Sequence, residues 1–224
     1  LIRKWLKAGV FEEGRVERSE EGTPQGGVIS PLLANIYLHF VQDLWIRKVV
    51  AKESRGRVMF RRYADDSIVC FERKEDADRY LRRLPGRLAK FHLELAERKT
   101  ALVKFNRWEP ETSGKFTFLG FDFYWKGTRK NPLHRIVRRT TTAKKFRASL
   151  QAMKEWLIKA RSHRLAAIVA TLGRKLQGYW NYYGVIGNSE RLTRYAHEVK
   201  GLVFKWLNRR SQRKSFTWPA FTAA

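Results

Sequence analysis

The chain has 224 residues, enough for one large domain or two small ones, and its 43% hydrophobic and 13% aromatic content excludes a chain unable to bury its side chains. Its 47 Lys and Arg against 21 Asp and Glu leave a formal charge of +26, self-repulsion that a folded domain tolerates best beside a polyanion, and nucleic acid is the first expectation. No apolar run approaches the ~18 residues of a spanning helix and no secretory signal opens the chain, so no membrane partner is expected. The single cysteine, Cys70, excludes an internal disulfide and a multi-cysteine zinc site, which fits a reducing cytoplasm. The five histidines lack ligand spacing and read as surface or core residues.

In chain order, the first residues, "LIRKWLKAGV", read as the interior of a helix with no preceding cap. Ser30 then offers an N-cap oxygen and Pro31 a fixed φ suited to a first helical turn. Leu32, Leu33, Ile36, Tyr37, Phe40, Val41, Leu44 and Trp45 recur in pairs every four residues, which predicts one helix with a broad core face. The stretch "FRRYADDSIVCF", 60–71, predicts two paired strands, the second nearly continuous in apolar character and therefore buried. Its turn is unusual, because two-residue hairpins favour Asn-Gly or Asp-Gly, whereas "ADD" has no glycine and sets Asp65 beside Asp66. A local rule broken in this way marks either a solvated surface turn or a functional site. Divalent cations would remove the repulsion, and carboxylate oxygens suit the two Mg²⁺ ions of phosphoryl transfer. Further on, Phe116, Phe118 and 121–123 fit buried strand positions.

Charge is unevenly shared. Residues 1–120 hold 24 basic and 17 acidic side chains, whereas residues 121–224 hold 23 and 4, too one-sided for an ordinary solvated face and suited to a polyanion. The second half reads as helices: Phe146, Leu150, Met153 and Leu157 form one stripe, Leu165, Ile168, Val169, Leu172 and Leu176 another, and Leu192, Tyr195, Val199, Leu202, Val203 and Trp206 a third. Outward positions include Arg138, Arg139, Lys144, Lys145, Arg147, Arg174 and Lys175. The aromatics Tyr179, Trp180, Tyr182 and Tyr183 serve either base stacking or bundle core. The tail adds Arg209, Arg210, Arg213 and Lys214, expected to meet RNA phosphate.

The segments "GTPQGGVISPLLANIYLHFVQDLW", "RRYADDSIVCF", "LELAERKTALV" and "FTFLGFDFYW" occur in the order shown by reverse transcriptases encoded in bacterial group II introns, and "LQGYWNYYG" with "RRSQRKSFTW" resembles the maturase domain, or domain X, of the same proteins. The resemblance implies an α+β fold. An incomplete polymerase palm, an antiparallel sheet with packed helices over residues 1–125, would be followed by an all-α thumb and maturase bundle over 126–224. It implies RNA-directed DNA polymerase activity with Mg²⁺, assistance to intron RNA splicing, and intron RNA, an RNA template, a DNA primer and dNTPs as partners. Asp65 and Asp66 would be catalytic and bind metal, and Pro24, Gln25, Gly26, Gly27, Tyr63, Ala64 and Lys99 would lie around the incoming nucleotide. Phe118, Leu119, Gly120 and Phe121 would form the turn that grips the primer.

The first palm motif of that family, with a further aspartate, and its fingers motifs have no counterpart in this sequence. Asp43, on the long helix, is in the wrong context to replace that aspartate. The expectation is therefore a C-terminal part of a reverse transcriptase, inactive alone and dependent on a fingers and palm segment. The alternative is a non-catalytic, intron RNA-binding maturase remnant. A two-metal nuclease has only the acidic pair in its favour.

Overall fold

The structure, a computed structural model, describes residues 10–12, 15–17, 29–109, 111–128, 130–210 and 217–223. Two compact units divide the chain, Leu1–Leu102 and Val103–Ala224. Both contain strands and helices, so the fold is α+β.

In the first unit, strands β1 (Val10–Glu12) and β2 (Arg15–Glu17) pair antiparallel, Phe11 opposite Val16. Helix α1 (Ser30–Leu38) has Ile29 at its cap and Pro31 in its first turn, one residue from the sequence expectation. It continues through two π-helical turns, His39–Asp43 and Ile46–Val50, to a last α-turn at Ala51–Glu53. Strands β3 (Val58–Tyr63) and β4 (Asp66–Phe71) form an antiparallel hairpin in register from Val58↔Phe71 to Tyr63↔Asp66. Helix α2 (Lys74–Ala89) follows, then a 3₁₀ turn at Glu97–Lys99. The core is Trp45, Ile46, Val50, Tyr80 and Leu84, closed by Val58, Phe60, Val69 and Phe71. Tyr80 stacks on Trp45 with centroids 5.5 Å apart. The buried amide of Gln42 donates to Ser67 Oγ at 3.0 Å and Tyr80 Oη at 3.4 Å, tying α1 to β4 and α2.

Two sequence expectations change here. The apolar face of α1 is core only from Val41 onward, while Leu32 and Phe40 are 58% and 55% exposed. A π turn inserts a residue into the helical repeat, so the apolar stripes before and after it point in different directions. The carbonyls of Phe40 and Val41, inside that widened turn, accept from the Arg87 guanidinium at 2.9 and 2.8 Å, and the same group lies 4.5 Å from the Phe91 ring centroid. Strand β4 is not continuously buried: Ser67 and Cys70 are exposed and Ile68 and Val69 half-buried. Register accounts for Cys70, whereas Ser67 lies on the helix side near the hairpin tip and accepts from Gln42. Val58, Phe60, Arg62, Ser67, Val69 and Phe71 share the face that meets the helices, which leaves Met59, Arg61, Tyr63, Asp66, Ile68 and Cys70 on the open face.

In the second unit, β5 (Phe116–Phe118), β6 (Phe121–Gly127) and β7 (Arg135–Thr141) form an antiparallel meander in chain order. Strand β7 was not foreseen, because its four-residue basic and β-branched alternation, "IVRR", resembles a solvated helix start as much as a strand. Helices α3 (Ala143–Ala160), α4 (Leu165–Tyr183) and α5 (Ser189–Leu207) follow, with a short α6 (Trp218–Ala223). Thr142 caps α3, its side chain accepting from the Lys145 amide. Phe146, Met153, Leu157, Ile168, Tyr179, Tyr183, Tyr195, Val199, Val203 and Trp206 are buried in one cluster with Phe121 of the sheet. The first and third expected stripes therefore form core. In α4 the stripe divides, Ile168 being buried while Leu165 and Val169 are 44% and 58% exposed. Tyr179 and Tyr195 stack 3.7 Å apart, and burial pushes both phenols up to about 12.

Asn188, 1% exposed, joins sheet to helices. Its Oδ1 accepts from the Thr141 amide at 3.0 Å, and its Nδ2 donates to Thr141 Oγ1 at 2.8 Å and to the Tyr183 carbonyl at 2.9 Å. Every polar atom of the amide is used, and three elements meet at one side chain. Asn188→Ala is expected to cost ~2–3 kcal/mol, since buried partners lose their bonds without gaining water. Urea unfolding of the 224-residue chain followed by circular dichroism measures it; a loss under 0.5 kcal/mol would contradict this role.

Candidate active site and nucleic-acid surface

The acidic turn is built by register. Tyr63 pairs with Asp66, leaving Ala64 and Asp65 as a two-residue loop between β3 and β4. Ala64 has φ +52°, a left-handed backbone on a residue with a Cβ, whereas Asp65 does not. Those signs are those of a type II′ hairpin turn, whose first central position favours glycine, so Ala64 carries strain of ~1 kcal/mol. Asp65 and Asp66 are both exposed, and Asp66 shares the open face with Tyr63, itself 68% exposed. Among the described residues no three His, Cys, Asp or Glu side chains gather at one point. Two exposed carboxylates nevertheless suit Mg²⁺, which commonly takes one or two protein carboxylates and completes its shell with water and substrate phosphates.

A residue that the sequence reading did not assign holds this turn. Arg62 Nε donates to Asp43 Oδ1 at 2.7 Å and Nη2 to Oδ2 at 2.8 Å, while Nη1 donates at 2.8 Å to both Asn35 Oδ1 and the carbonyl oxygen of Ala64. Its side chain is only 9% exposed. The strained residue is thus pinned through its own carbonyl to α1. Asp43, on the first π turn, is committed to Arg62, whose hydrogen bonds hold its carboxyl below the usual 3.8 against the opposing effect of burial, and the same pairing raises the guanidinium above its usual value. The motif "RRY" before the aspartates gave no local signal of this role, because the partners lie 19 and 27 residues away.

The second predicted turn lies between β5 and β6. Phe118 pairs with Phe121, and Leu119 and Gly120 have φ +50° and +78°, the signs of a type I′ turn. Phe121 is buried in the bundle core. The Gly120 carbonyl accepts from the Thr142 amide at 3.0 Å, and a Cβ built on Gly120 would lie 3.6 Å from Lys145 Cγ. One expected phosphate-binding residue, Lys145, is thereby brought against the turn. Asp122 of β6 accepts from Thr117 Oγ1 at 2.6 Å within this sheet.

The other predicted residues are more dispersed. Lys99 is exposed at the end of the 3₁₀ turn, in the wall of an open groove of about 690 Å³ shared with Arg98, Glu97 and Pro85; that groove contains none of residues 63–66. Arg138 and Arg139 lie on β7 rather than on a helix, Arg138 half-buried and Arg139 exposed, with Arg139 Nε donating to the Ile186 carbonyl. Lys144, Lys145, Arg174, Lys175, Arg209 and Arg210 are exposed. Lys175 lies over Trp156 and Arg209 over Trp206, which orients both without removing their charge. Pro24, Gln25, Gly26, Gly27, Arg213 and Lys214 lie outside the described residues. No described helix is long and apolar enough to cross a membrane.

Residues 1–123 match the family model described as reverse transcriptase (RNA-dependent DNA polymerase), and residues 143–221 match that described as group II intron, maturase-specific domain. The group II intron-encoded protein LtrA of Lactococcus lactis subsp. cremoris is 26% identical across 88% of this chain and 45% of its own length. Protein YkfC of Escherichia coli is 47% identical over 58 residues, 25% of this chain and 15% of that protein. An uncharacterized 91 kDa protein in cob intron of Schizosaccharomyces pombe is 52% identical over 48 residues, 20% of this chain and 6% of that protein. The chain spans just under half the length of LtrA.

Two outcomes test the Arg62 anchor. Arg62→Ala is expected to lower stability by ~2–3 kcal/mol, and Arg62→Lys to restore little, since one ammonium cannot replace a planar fork serving Asp43, Asn35 and Ala64 together. Because the Asp43 carboxyl is depressed, the pair's contribution is complete above pH 3.8 and is lost as pH falls through the lower folded value. Acid titration of stability for Asp43→Asn should accordingly show a smaller loss over that range than the parent. Equal acid limbs would remove the pair from the account.

Proposed function

The chain belongs to the reverse transcriptase (RNA-dependent DNA polymerase) family, in its group II intron maturase branch, and from that membership we propose that the Tyr63–Asp66 turn is the catalytic element of an RNA-directed DNA polymerase whose maturase part binds intron RNA and assists its splicing. The observation that carries the reading is the strained Ala64 turn, which presents two exposed carboxylates and is fixed by Arg62. Strain maintained by a largely buried ion pair, at a position where the turn itself would favour glycine, is expected where geometry matters for chemistry. The proposal extends to the family's partners, intron RNA, an RNA template, a DNA primer and dNTPs. The functional boundary in this reading falls near 125/126; the family matches end at 123 and resume at 143, and the compact units divide at Leu102/Val103.

In this reading Asp65 and Asp66 hold Mg²⁺, which when bound stabilises the attacking and leaving oxygens of nucleotidyl transfer. Tyr63, on the same open face as Asp66, borders the primer end. Lys99 pairs with phosphate charge of the incoming nucleotide, the Pro24–Gly27 segment lines the pocket for that nucleotide, and Phe118 to Phe121 hold the primer strand. Lys144, Lys145, Arg174, Lys175, Arg209, Arg210, Arg213 and Lys214, with Arg138 and Arg139 of β7, neutralise RNA phosphates. The charge asymmetry favours a second reading, an RNA-binding maturase without synthesis, in which the acidic turn is scaffold.

Asp65→Asn separates the two. In a protein carrying this chain that extends a primer on an RNA template with Mg²⁺, the substitution is expected to abolish synthesis while RNA affinity and its salt slope stay unchanged. Synthesis surviving the substitution would remove the catalytic role. For the isolated 224-residue chain, RNA binding without sustained primer extension is expected, and robust Mg²⁺-dependent extension would refute that. Lys144→Ala with Arg174→Ala should flatten the salt slope of RNA binding by roughly two units, uniformly across RNA sequences.

A further inference from the structure

We propose that Tyr182 of α4 is a positioning residue that sets the direction of the Leu119–Gly120 peptide, so that the Gly120 N–H is presented as a donor to a phosphodiester oxygen of a bound nucleic-acid strand. The strand assignment rests on the reading of residues 118–121 as the primer-holding turn. The orientation of the peptide stands on geometry alone.

Type I′ and type II′ turns share a positive φ at the first central residue and differ by rotation of the peptide between the two central residues. In this turn that peptide joins Leu119 to Gly120, and the sign of φ at Gly120, +78°, is that of the I′ form. The group that reverses direction between the two forms is the Leu119 carbonyl. It is this oxygen that accepts from Tyr182 Oη at 3.1 Å, across 63 residues of sequence. The Tyr182 ring lies nearly parallel to Phe121, centroids 6.0 Å apart and planes at 14°, and Tyr183 meets Phe121 edge-on at 5.5 Å. Tyr183 is in turn fixed through its carbonyl by Asn188. The hydroxyl is thus held on a rigid support at one side of the turn.

A trans peptide is planar and sets its N–H opposite its C=O. Drawing the Leu119 oxygen toward Tyr182 therefore aims the Gly120 N–H away from it, and among the described residues no group accepts from that N–H. Lys145, whose Cγ passes 3.6 Å from the Cβ position of Gly120, supplies positive charge nearby. A backbone donor beside a lysine is suited to a phosphate oxygen and carries no base information. Tyr182 itself is 55% exposed, so core packing does not account for its place. Leu119–Gly120 favours the I′ form, but a leucine at positive φ holds it less firmly than the Asn of an Asn-Gly turn, and the outside hydrogen bond adds what the leucine does not supply.

The test uses the full 224-residue chain, a fluorescein-labelled DNA–RNA hybrid and hydrogen exchange. Tyr182→Phe keeps the ring and removes the hydroxyl. Expected are faster exchange of the segment 116–125, unchanged exchange in α3 and α5, and hybrid affinity weaker by roughly three- to tenfold. Adding Leu119→Asn, which makes the Asn-Gly pair that favours the I′ form most strongly, should recover most of that affinity. Unchanged exchange across 116–125 in Tyr182→Phe overturns the positioning role. Faster exchange with unchanged hybrid affinity instead overturns the primer-holding reading and the phosphate contact with it. Failure of Leu119→Asn to rescue a weakened Tyr182→Phe overturns the claim that turn form is what the hydroxyl controls.

Discussion

A carbonyl oxygen at the centre of a hairpin loop is free to face either side of the turn, and in this protein it is twice captured by a distant side chain. Arg62 takes the oxygen of Ala64, and Tyr182 that of Leu119. Both residues occupy the left-handed region, at φ +52° and +50°, where a Cβ is unfavourable by ~1 kcal/mol. At Ala64 the distant bond opposes the local preference for glycine, and at Leu119 it adds to the I′ preference that Gly120 supplies. What the acidic turn presents to solvent, and what the second turn presents beside Lys145, follows from where those two donors are anchored.

The anchors are polar and largely buried. Arg62 reaches its place because Asp43 projects from the first π turn of α1 and neutralises it, with Asn35 taking one of the remaining donors. Gln42 sits one residue before, on the same widened turn, and reaches Ser67 and Tyr80. The first π turn is therefore more than a local irregularity: it carries two consecutive polar side chains, Gln42 reaching β4 and α2 and Asp43 reaching Arg62 of β3. In the second unit Asn188 performs the equivalent task, closing on Thr141 and Tyr183 so that the sheet end and the helix carrying Tyr182 keep one arrangement. Such networks contribute modestly to stability when complete and are costly when broken, which makes them suited to fixing geometry.

Charge and shape divide between the parts of the chain. The acidic turn lies in the half where the signs are nearly balanced, so two neighbouring carboxylates are not drowned by surrounding cations. The strongly basic half carries the helices of the maturase-specific match. A polymerase must hold carboxylates for metal next to a polyanion that repels them, and the proposed function uses this separation: cations bind the strand, while the acidic turn remains available for the metal.

The α+β class and the second hairpin turn came from the resemblance of the motifs, whereas the one-dimensional pattern by itself carried the helical stripes of α3 and α5, the acidic hairpin turn and the expectation of a polyanion partner. Each of these patterns is carried by spacing of a few residues or by composition. The exposed first half of α1, strand β7, the sharing of α4 between core and surface, and the roles of Arg62, Asn188 and Tyr182 were decided only in three dimensions. A π insertion shifts the phase of an apolar stripe without altering its letters, and hydrogen bonds across 19 to 63 residues leave no periodic trace. The tyrosines of α4 show the limit most plainly: Tyr179 and Tyr183 are core and Tyr182 is exposed, though they are the same residue type on one helix, because burial depends on which side of the helix faces the cluster around Tyr195 of α5.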